Sequence, residues 1–342
     1  MLSKGWHRTR AKSCRTGRSP PSPGPSPRSV AGTIGETSPH LPLSRVAVLH
    51  PGAMGITVAA SLVRSGAAVV WASEGRSPDT RARADGADLI DAGTLADACG
   101  QSDVVVSVCP PGAAVELARA VVATGFGGVY VDANAIAPST VAAIDGIVTE
   151  RGGQLVDGGL VGPPAERPGT TRLYLSGARA ETVAGLFSAG PLEARVVGDE
   201  PGAASALKMC YAAYTKGTAA LLLAVVALAE ATGVAAALSA EWERSQRDLP
   251  DRVAATARGS APKAWRWVGE MEEIASTFAD AGLPDGFHRA AADVFVRLAE
   301  LKDADAVSAH DVTALLLGDS PPGGRGPAGR LRPPDAPAAA RR

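Results

Sequence analysis

Arg45-Val-Ala-Val-Leu-His50-Pro-Gly-Ala-Met-Gly55-Ile-Thr-Val-Ala-Ala60-Ser-Leu-Val-Arg-Ser65-Gly-Ala-Ala-Val-Val70-Trp-Ala72 is the stretch whose reading decides the fold. Its first five residues are a short β-branched apolar run, the pattern of a buried strand. His50 to Gly55 form a glycine-bearing turn. Ile56 to Ser65 read as a helix stopped by Gly66, and Ala67 to Ala72 as a second buried strand. Strand, turn, helix and strand make a βαβ unit. Such a turn aims the amides of a helix N-terminus at a pyrophosphate. His50 stands where the G-x-G-x-x-G pattern has its first glycine. Gly52 remains where the backbone must come close to a phosphate, and Gly55 where helix and strand must pack.

The end of the second strand bears on the nucleotide. Glu74, nineteen residues after Gly55, is placed to hold a ribose 2′-hydroxyl, as in NAD sites. Arg76 and Ser77 are the residue types that hold a 2′-phosphate. Both readings are physically sound. NADP is the expected cofactor, with NAD the alternative.

Further apolar runs recur at α/β spacing. Asp103–Val108 ends at Cys109-Pro110, Gly128–Val131 at Asp132-Ala-Asn134, and Leu155-Val156 leads into a loop from Asp157 to Pro164. Arg172–Leu175 and Ala194–Val197 follow. Ligands of such sheets bind beyond the C-terminal strand ends. That makes Cys109, Pro110, Asn134 and the 157–164 loop candidate lining.

Composition changes after residue 200. Asp199-Glu200-Pro201 reads as a helix start with an acidic cap region and an early proline. Nothing forces a stop until about Thr232, so some thirty residues would span roughly 45 Å. Such a helix must cross between domains or into a partner. It is apolar nearly all round from Ala219 to Leu228, which implies burial on several sides. Lys208 lies near its start, with Tyr211, Ala212 and Thr215 within about 60° of it on the helix surface. A lysine among Ala, Leu, Met and Cys is expensive to bury unless paired or used.

Hydrophobic residues make up 46% of the 342 residues and aromatics only 4%, so the interior is built from Ala, Val and Leu. The net charge of −1 is unevenly spread. Residues 1–43 hold seven bases and one acid, and residues 320–342 five bases and one acid. That leaves 22 bases against 33 acids between 44 and 319, a net of −11. An acidic core is the reverse of a nucleic-acid-binding surface. The tails are Pro-rich, with five prolines between Arg18 and Arg28, and read as disordered or as a wrongly assigned start. The N-terminus has no apolar stretch after its bases, so it does not read as a signal peptide. No uninterrupted apolar run reaches the length of a membrane span. Cys14, Cys99, Cys109 and Cys210 show neither C-x-x-C pairing nor a histidine cluster, which excludes a structural metal and favours reduced thiols in a cytoplasm.

Three segments, in order, resemble the β-hydroxyacid dehydrogenase superfamily, which includes 3-hydroxyisobutyrate and 6-phosphogluconate dehydrogenases. Pro51-Gly-Ala-Met-Gly55 resembles the cofactor turn, G-x-G-x-M-G, without its first glycine. Asp157-Gly-Gly-Leu-Val-Gly-Pro163 resembles the substrate loop, D-A-P-V-S-G-G. Gly202-x5-Lys208 resembles the catalytic helix, whose lysine is the general acid/base. The resemblance covers about residues 45 to 230. Trp265-Arg-Trp267-Val-Gly-Glu-Met-Glu-Glu273 and Gly286-Phe-His288 look like the C-terminal domain of a branch catalogued without a known function. There are departures. Val161 replaces the loop serine, and Pro163 has no N–H to give. The asparagine one turn after the lysine falls at Ala212, and a later lysine is replaced around Glu270.

The resemblance and the motifs together imply an α/β fold. A Rossmann-type doubly wound sheet over 44–200 would be followed by an all-α domain over 201–318, joined by the long helix, with tails at 1–43 and 319–342. The expected activity moves a hydride between NAD(P) and a small hydroxy or oxo compound. Lys208 would act as acid/base, with Asn134 and Tyr211 assisting. The cofactor would lie on Gly52, Ala53, Met54, Gly55, Arg76, Ser77, Cys109, Pro110 and Asn134. The substrate would lie on Gly159, Val161, Gly162, Lys208 and His288, with no metal. Arg167 or Arg172 would be the spare carboxylate grip. The expected partners are a small-molecule substrate and a second copy of the chain, with neither nucleic acid nor membrane. An imine-reducing relative and a non-catalytic NADPH-binding scaffold are the alternatives.

Overall fold

The computed structural model describes residues 45–302 and 304–318; the two tails read from composition lie outside the described residues. The first part alternates strand and helix: β1 Arg45–Val48, α1 Gly55–Arg64, β2 Ala68–Trp71, α2 Pro78–Asp85, β3 Ile90–Asp91, α3 Leu95–Gly100, β4 Val104–Ser107, α4 Ala114–Ala123, β5 Val129–Asp132, α5 Pro138–Thr149, β6 Gln154–Val161, β7 Thr171–Ser176, α6 Ala180–Gly185 and β8 Leu192–Gly198. The second part is helical: α7 Ala203–Ala231, α8 Ala235–Ser245, α9 Leu249–Ser260, α10 Ala264–Asp280, α11 Gly286–Arg297 and α12 Ala309–Leu317.

The strands form one sheet in the order β3-β2-β1-β4-β5-β6-β7-β8. It is parallel except where β7 runs back against β6. Val46, Val48, Val69, Val104 and Val106 bury one face, and Ala47, Val70, Val105 and Tyr130 the other. Burial on both faces is why these strands read as unbroken apolar runs rather than alternating ones. The strand order reverses between β1 and β4, so their C-terminal ends open the crevice where such sheets take ligands.

The reading of Asp157 to Pro164 as a loop fails for its first half. β6 continues through Val161 because β7 pairs with it from Asp157↔Ser176 to Val161↔Arg172. The glycines at 158 and 159 suit this strand. A Cβ on Gly158 would lie 2.9 Å from the Asp132 carbonyl oxygen, and one on Gly159 would lie 2.8 Å from that of Ala204.

The start of α7 also differs from expectation. Its first turn is not capped by Asp199 or Glu200. The N-cap is Gly202, at φ 103°, a conformation open to glycine at little cost. The cap itself comes from the sheet. Asp157, fully buried on β6, accepts from the Gly202 and Ser205 N–H groups at 2.9 Å and from the Ser205 hydroxyl at 2.6 Å. Ser176 donates to the same carboxylate and accepts from the Ala204 N–H. Helix N-termini leave such N–H groups unpaired, and a carboxylate there also meets the positive end of the helix dipole.

Helix α7 packs on β6 and on α9, α10, α11 and α12. Met209, Ala212, Ala220, Leu223 and Ala227 enter a core with Met271, Ile274 and Phe295. Its middle glycine has a purpose: a Cβ on Gly217 would come within 3.0 Å of the Phe287 ring. Burial is less complete than an all-round apolar helix suggests. Tyr211, Tyr214, Leu221 and Leu228 remain exposed. By length and composition α7 is also apolar enough to cross a membrane, and 39% of its most apolar stretch is buried inside the fold.

Asp157→Ala would leave several buried donors without an acceptor, which costs about 2–4 kcal/mol in total. A fall in Tm of several degrees is the expected outcome in a calorimetric scan. An unchanged Tm would mean that α7 is held by its apolar contacts alone.

Candidate functional site

Two sets of residues flank the C-terminal edge of the sheet. The first surrounds the turn after β1. Gly52 has open space on the side where a Cβ would stand, whereas a Cβ on Gly55 would lie 2.0 Å from the His50 carbonyl oxygen. Gly55 is therefore needed for α1 to start against β1. Ala53 is exposed and Met54 partly buried. The first amides of α1 point out of the turn, as at any helix N-terminus.

His50 and Arg76 come together over this turn. His50 Nδ1 and Arg76 Nε are both buried without a hydrogen-bond partner. Burial first, and then the Arg76 charge, lowers the His50 imidazole to about 4, so it is neutral at ordinary pH. Burial also lowers Arg76. Arg83, not anticipated from sequence, joins them, its Nε donating to the Pro51 carbonyl at 3.3 Å. Arg83 is exposed like Arg81 beside it, and nothing in the sequence singles it out; only the fold of α2 against the turn brings it to Pro51. Two unpartnered nitrogens and an added guanidinium fit a phosphate-bearing ligand.

Ser77 is not a spare hydroxyl. It is the N-cap of α2 and accepts from the Thr80 N–H at 3.3 Å. Glu74 is exposed.

Asn134 also differs from expectation. Its side chain is buried and already occupied. The amide nitrogen donates to Ser107 Oγ and Asp132 Oδ2, each at 2.9 Å, and the amide oxygen accepts from the Cys109 N–H at 2.6 Å. Asn134 thus ties the ends of β4 and β5 together instead of reaching outward. Cys109 sits at that junction, with burial pushing its thiol up to about 11. It is a protonated small side chain, and Pro110 beside it is exposed. Burial drives Asp132 up to about 7, against the lowering effect of its bonds from Asn134.

The second set lies on α7 and its neighbours. Lys208 Nζ donates to the Leu160 carbonyl at 2.7 Å, near the end of β6. Burial lowers its pKa, while the charge of Glu270 acts in the opposite sense. Lys216, eight residues on, forms an ion pair with Glu270. This pair was not anticipated, although the spacing that puts 208, 212 and 216 along one side of a helix was a usable signal. Glu273, on the same helix as Glu270, accepts from the Ala137 N–H at 2.6 Å and the Thr140 hydroxyl at 2.9 Å at the start of α5.

Other expected substrate contacts are elsewhere. The Gly159 backbone is pressed against Lys208, whose Cβ would lie 3.0 Å from an added methyl. Val161 is buried. Gly162, at φ 127°, makes its close approach to the Thr170 carbonyl of the chain itself. His288 is buried against Phe278, with ring centroids 4.2 Å apart, and beside Gly217. Tyr211 is 48% exposed, so its hydroxyl is not enclosed with Lys208. Arg167 is exposed, and Arg172 donates to the Gly169 carbonyl.

Comparison with known proteins bears on the fold. Residues 229–298 match a family described as a domain of unknown function, DUF1932. An uncharacterized 28.5 kDa protein of Methanothermus fervidus, from a 7S RNA 5′ region, is 32% identical over 143 residues, which are 40% of this chain and 52% of that protein. The match thus spans about half the length of that curated relative. Among solved structures, the conserved protein MTH1747, of unknown function and described as similar to 3-hydroxyacid dehydrogenases, is 29% identical. It aligns over 75% of this chain and 97% of its own, with a TM-score of 0.56. A 3-hydroxyisobutyrate dehydrogenase of Mycobacterium tuberculosis, solved with L-serine, is 16% identical over 80% of this chain and 98% of its own, with a TM-score of 0.57. The chain has the fold of the 3-hydroxyacid dehydrogenases: a largely parallel Rossmann-like sheet followed by a helical region.

His50 supplies a test of the crevice. A histidine kept neutral in the fold binds fewer protons than the unfolded chain between about pH 6.5 and 4. Its burial therefore destabilises progressively as pH falls through that window and not above it. Asp132, raised by burial, acts in the opposite sense, destabilising as pH rises toward 7. The difference between wild type and His50→Gln isolates the histidine. The Tm of the variant should drop less steeply on the acid side, and parallel Tm curves would show that His50 is exposed in solution.

Proposed function

We propose that the chain is an NAD(P)-dependent oxidoreductase that moves a hydride between nicotinamide and a small hydroxy or oxo compound, with Lys208 as the general acid/base. The observation that carries this reading is the setting of Lys208. It is a partly buried amine, lowered by desolvation, bonded to Leu160 at the end of β6 beside the crevice of a Rossmann-like sheet. A lysine whose pKa falls toward neutrality can take a proton from a hydroxyl and return it to a carbonyl oxygen.

The residues present suit the cofactor. The first amides of α1, with Gly52, Ala53, Met54 and Gly55, would receive the pyrophosphate. Arg76, with Arg83 nearby, favours the 2′-phosphate of NADP over NAD. Once bound, the nicotinamide supplies the hydride chemistry. The chain does the rest. Asn134 holds the Cys109-Pro110 turn in place, and Lys208 holds or releases the proton. Helix α10 packs over that turn, where a Cβ on Gly269 would lie 3.9 Å from the Pro111 side chain. Val161 and Pro163 offer no carboxylate grip, so a small β-hydroxy acid is one substrate class among several. The exposed side chains of Tyr211, Tyr214, Leu221 and Leu228 along α7 support a second copy of the chain as partner. A cytoplasmic homodimer working on a small molecule completes the reading.

Quenching of tryptophan fluorescence by NADPH and by NADH tests the nucleotide half. Micromolar binding of NADPH is expected, weakened at least about tenfold by Arg76→Ala, with little change for NADH. Lys208→Ala should leave binding intact and lower kcat about 100-fold or more on any hydroxy or oxo compound found to turn over. Absence of binding by either nucleotide would overturn the proposal.

A further inference from the structure

Lys216 on α7 and Glu270 on α10 are paired, their side chains only 12% and 15% exposed. The Lys216 ammonium also stands 5.2 Å from the centroid of the Trp267 ring. That ring is held edge-on by Phe295 at 5.3 Å. A buried ion pair contributes little net stability, because desolvating both charges offsets their attraction, and an apolar pair of similar volume usually does as well. The core beside it, with Met271, Ile274 and Phe295, would accept such a replacement. Packing alone does not account for these two charges.

Their position does. Lys208, Ala212 and Lys216 lie two turns apart from first to last, about 12 Å along the helix. Spacings of four residues set Lys208, Ala212 and Lys216 along one side of α7, and the Lys216 ammonium is held there against Glu270 and Trp267 of α10. Ala212 is 1% exposed and offers only a methyl group. Glu270 raises both amines, and the charge of Lys208 lowers Lys216, a like-charge repulsion that by reciprocity also bears on Lys208.

Of the other ionisable groups on the packed elements, three carboxylates are engaged elsewhere, while His288 Nδ1 is buried without a hydrogen-bond partner. Asp157 on β6 is consumed at the start of α7. Asp132 on β5 is bonded to Asn134, and Glu273 on α10 faces the start of α5. His288 on α11 is packed between Phe278 and Phe287. β6 itself presents Lys208 with a carbonyl, not a charge.

We propose that Lys216 and Glu270 are a positioning pair that sets the proton occupancy of Lys208, and with it the pH at which the cleft works. The inference rests on the reading of Lys208 as acid/base. Glu270 favours the protonated Lys208, and Lys216 opposes it by like charge. The two partners therefore act in opposite directions, which no purely structural role would produce. Lys216 is itself held at about 8, by burial first and with Glu270 working against it, so its amine remains mostly charged at neutral pH.

The test needs neither cofactor nor substrate. The full-length protein is acetylated with acetic anhydride across a range of pH, and the rate at Lys208 is read by mass spectrometry. In Glu270→Gln the midpoint of that rate should fall by about one pH unit, and in Lys216→Met it should rise by a similar amount. The double variant should return toward wild type. Circular dichroism checks that each variant is folded, and either single variant tests its sign alone. Coincident midpoints, or shifts in the same direction, overturn the proposal. Opposite shifts in a protein that binds no nucleotide would uphold the pair while removing the oxidoreductase reading.

Discussion

The buried carboxylate of Asp157 joins the two halves of this molecule. It stands on β6, within the sheet, yet its acceptors are spent on the first turn of α7. The direction in which the long helix leaves the sheet depends on that contact. So does the placement of Lys208, one turn beyond Ser205. Gly159 lets the strand and the helix come close enough for Lys208 to reach the Leu160 carbonyl. Glu273 makes the reciprocal contact, from the helical part to the start of α5 in the sheet part. Two carboxylates thus each accept from the start of a helix in the other half.

The cleft is divided electrostatically. On the side of β1 and β2, Arg76 and Arg83 gather over a turn that holds a neutral histidine, which suits a phosphate-bearing ligand. On the side of α7, two lysines share one glutamate in a mostly apolar wall. The segment that resembles a substrate loop is drawn into the sheet, with Val161 buried and Gly162 turned onto Thr170. Helices α7 and α10 face each other there with Lys216, Glu270 and Trp267.

Much of this was legible beforehand. The βαβ unit showed in the run of Val and Ala on either side of the Gly-bearing turn, because strands buried on both faces have a recognisable apolar pattern. The length of α7 followed from the lack of any stop between Gly202 and Thr232. Several expected contact groups are engaged within the chain itself, for a common reason. Asn134, Ser77 and Gly162 have the residue types of a binding site, but their donors, acceptors or open faces are already taken by the chain. Sequence spacing does not say which partner reaches a polar group first. Lys216 and Arg83 were missed because their partners, Glu270 and Pro51, are distant in sequence.

By itself, the sequence determined the order of strands and helices, the turn after β1 and the helix that carries Lys208. These rest on local periodicity and on glycine geometry, which a chain expresses without knowing its distant neighbours. Tertiary structure alone decided that Asp157 caps α7, that Asn134 is a clasp and not a contact, and that Lys216 answers to Glu270. Each of these depends on which groups remain unpaired once the chain has closed on itself, and burial makes that choice costly to reverse.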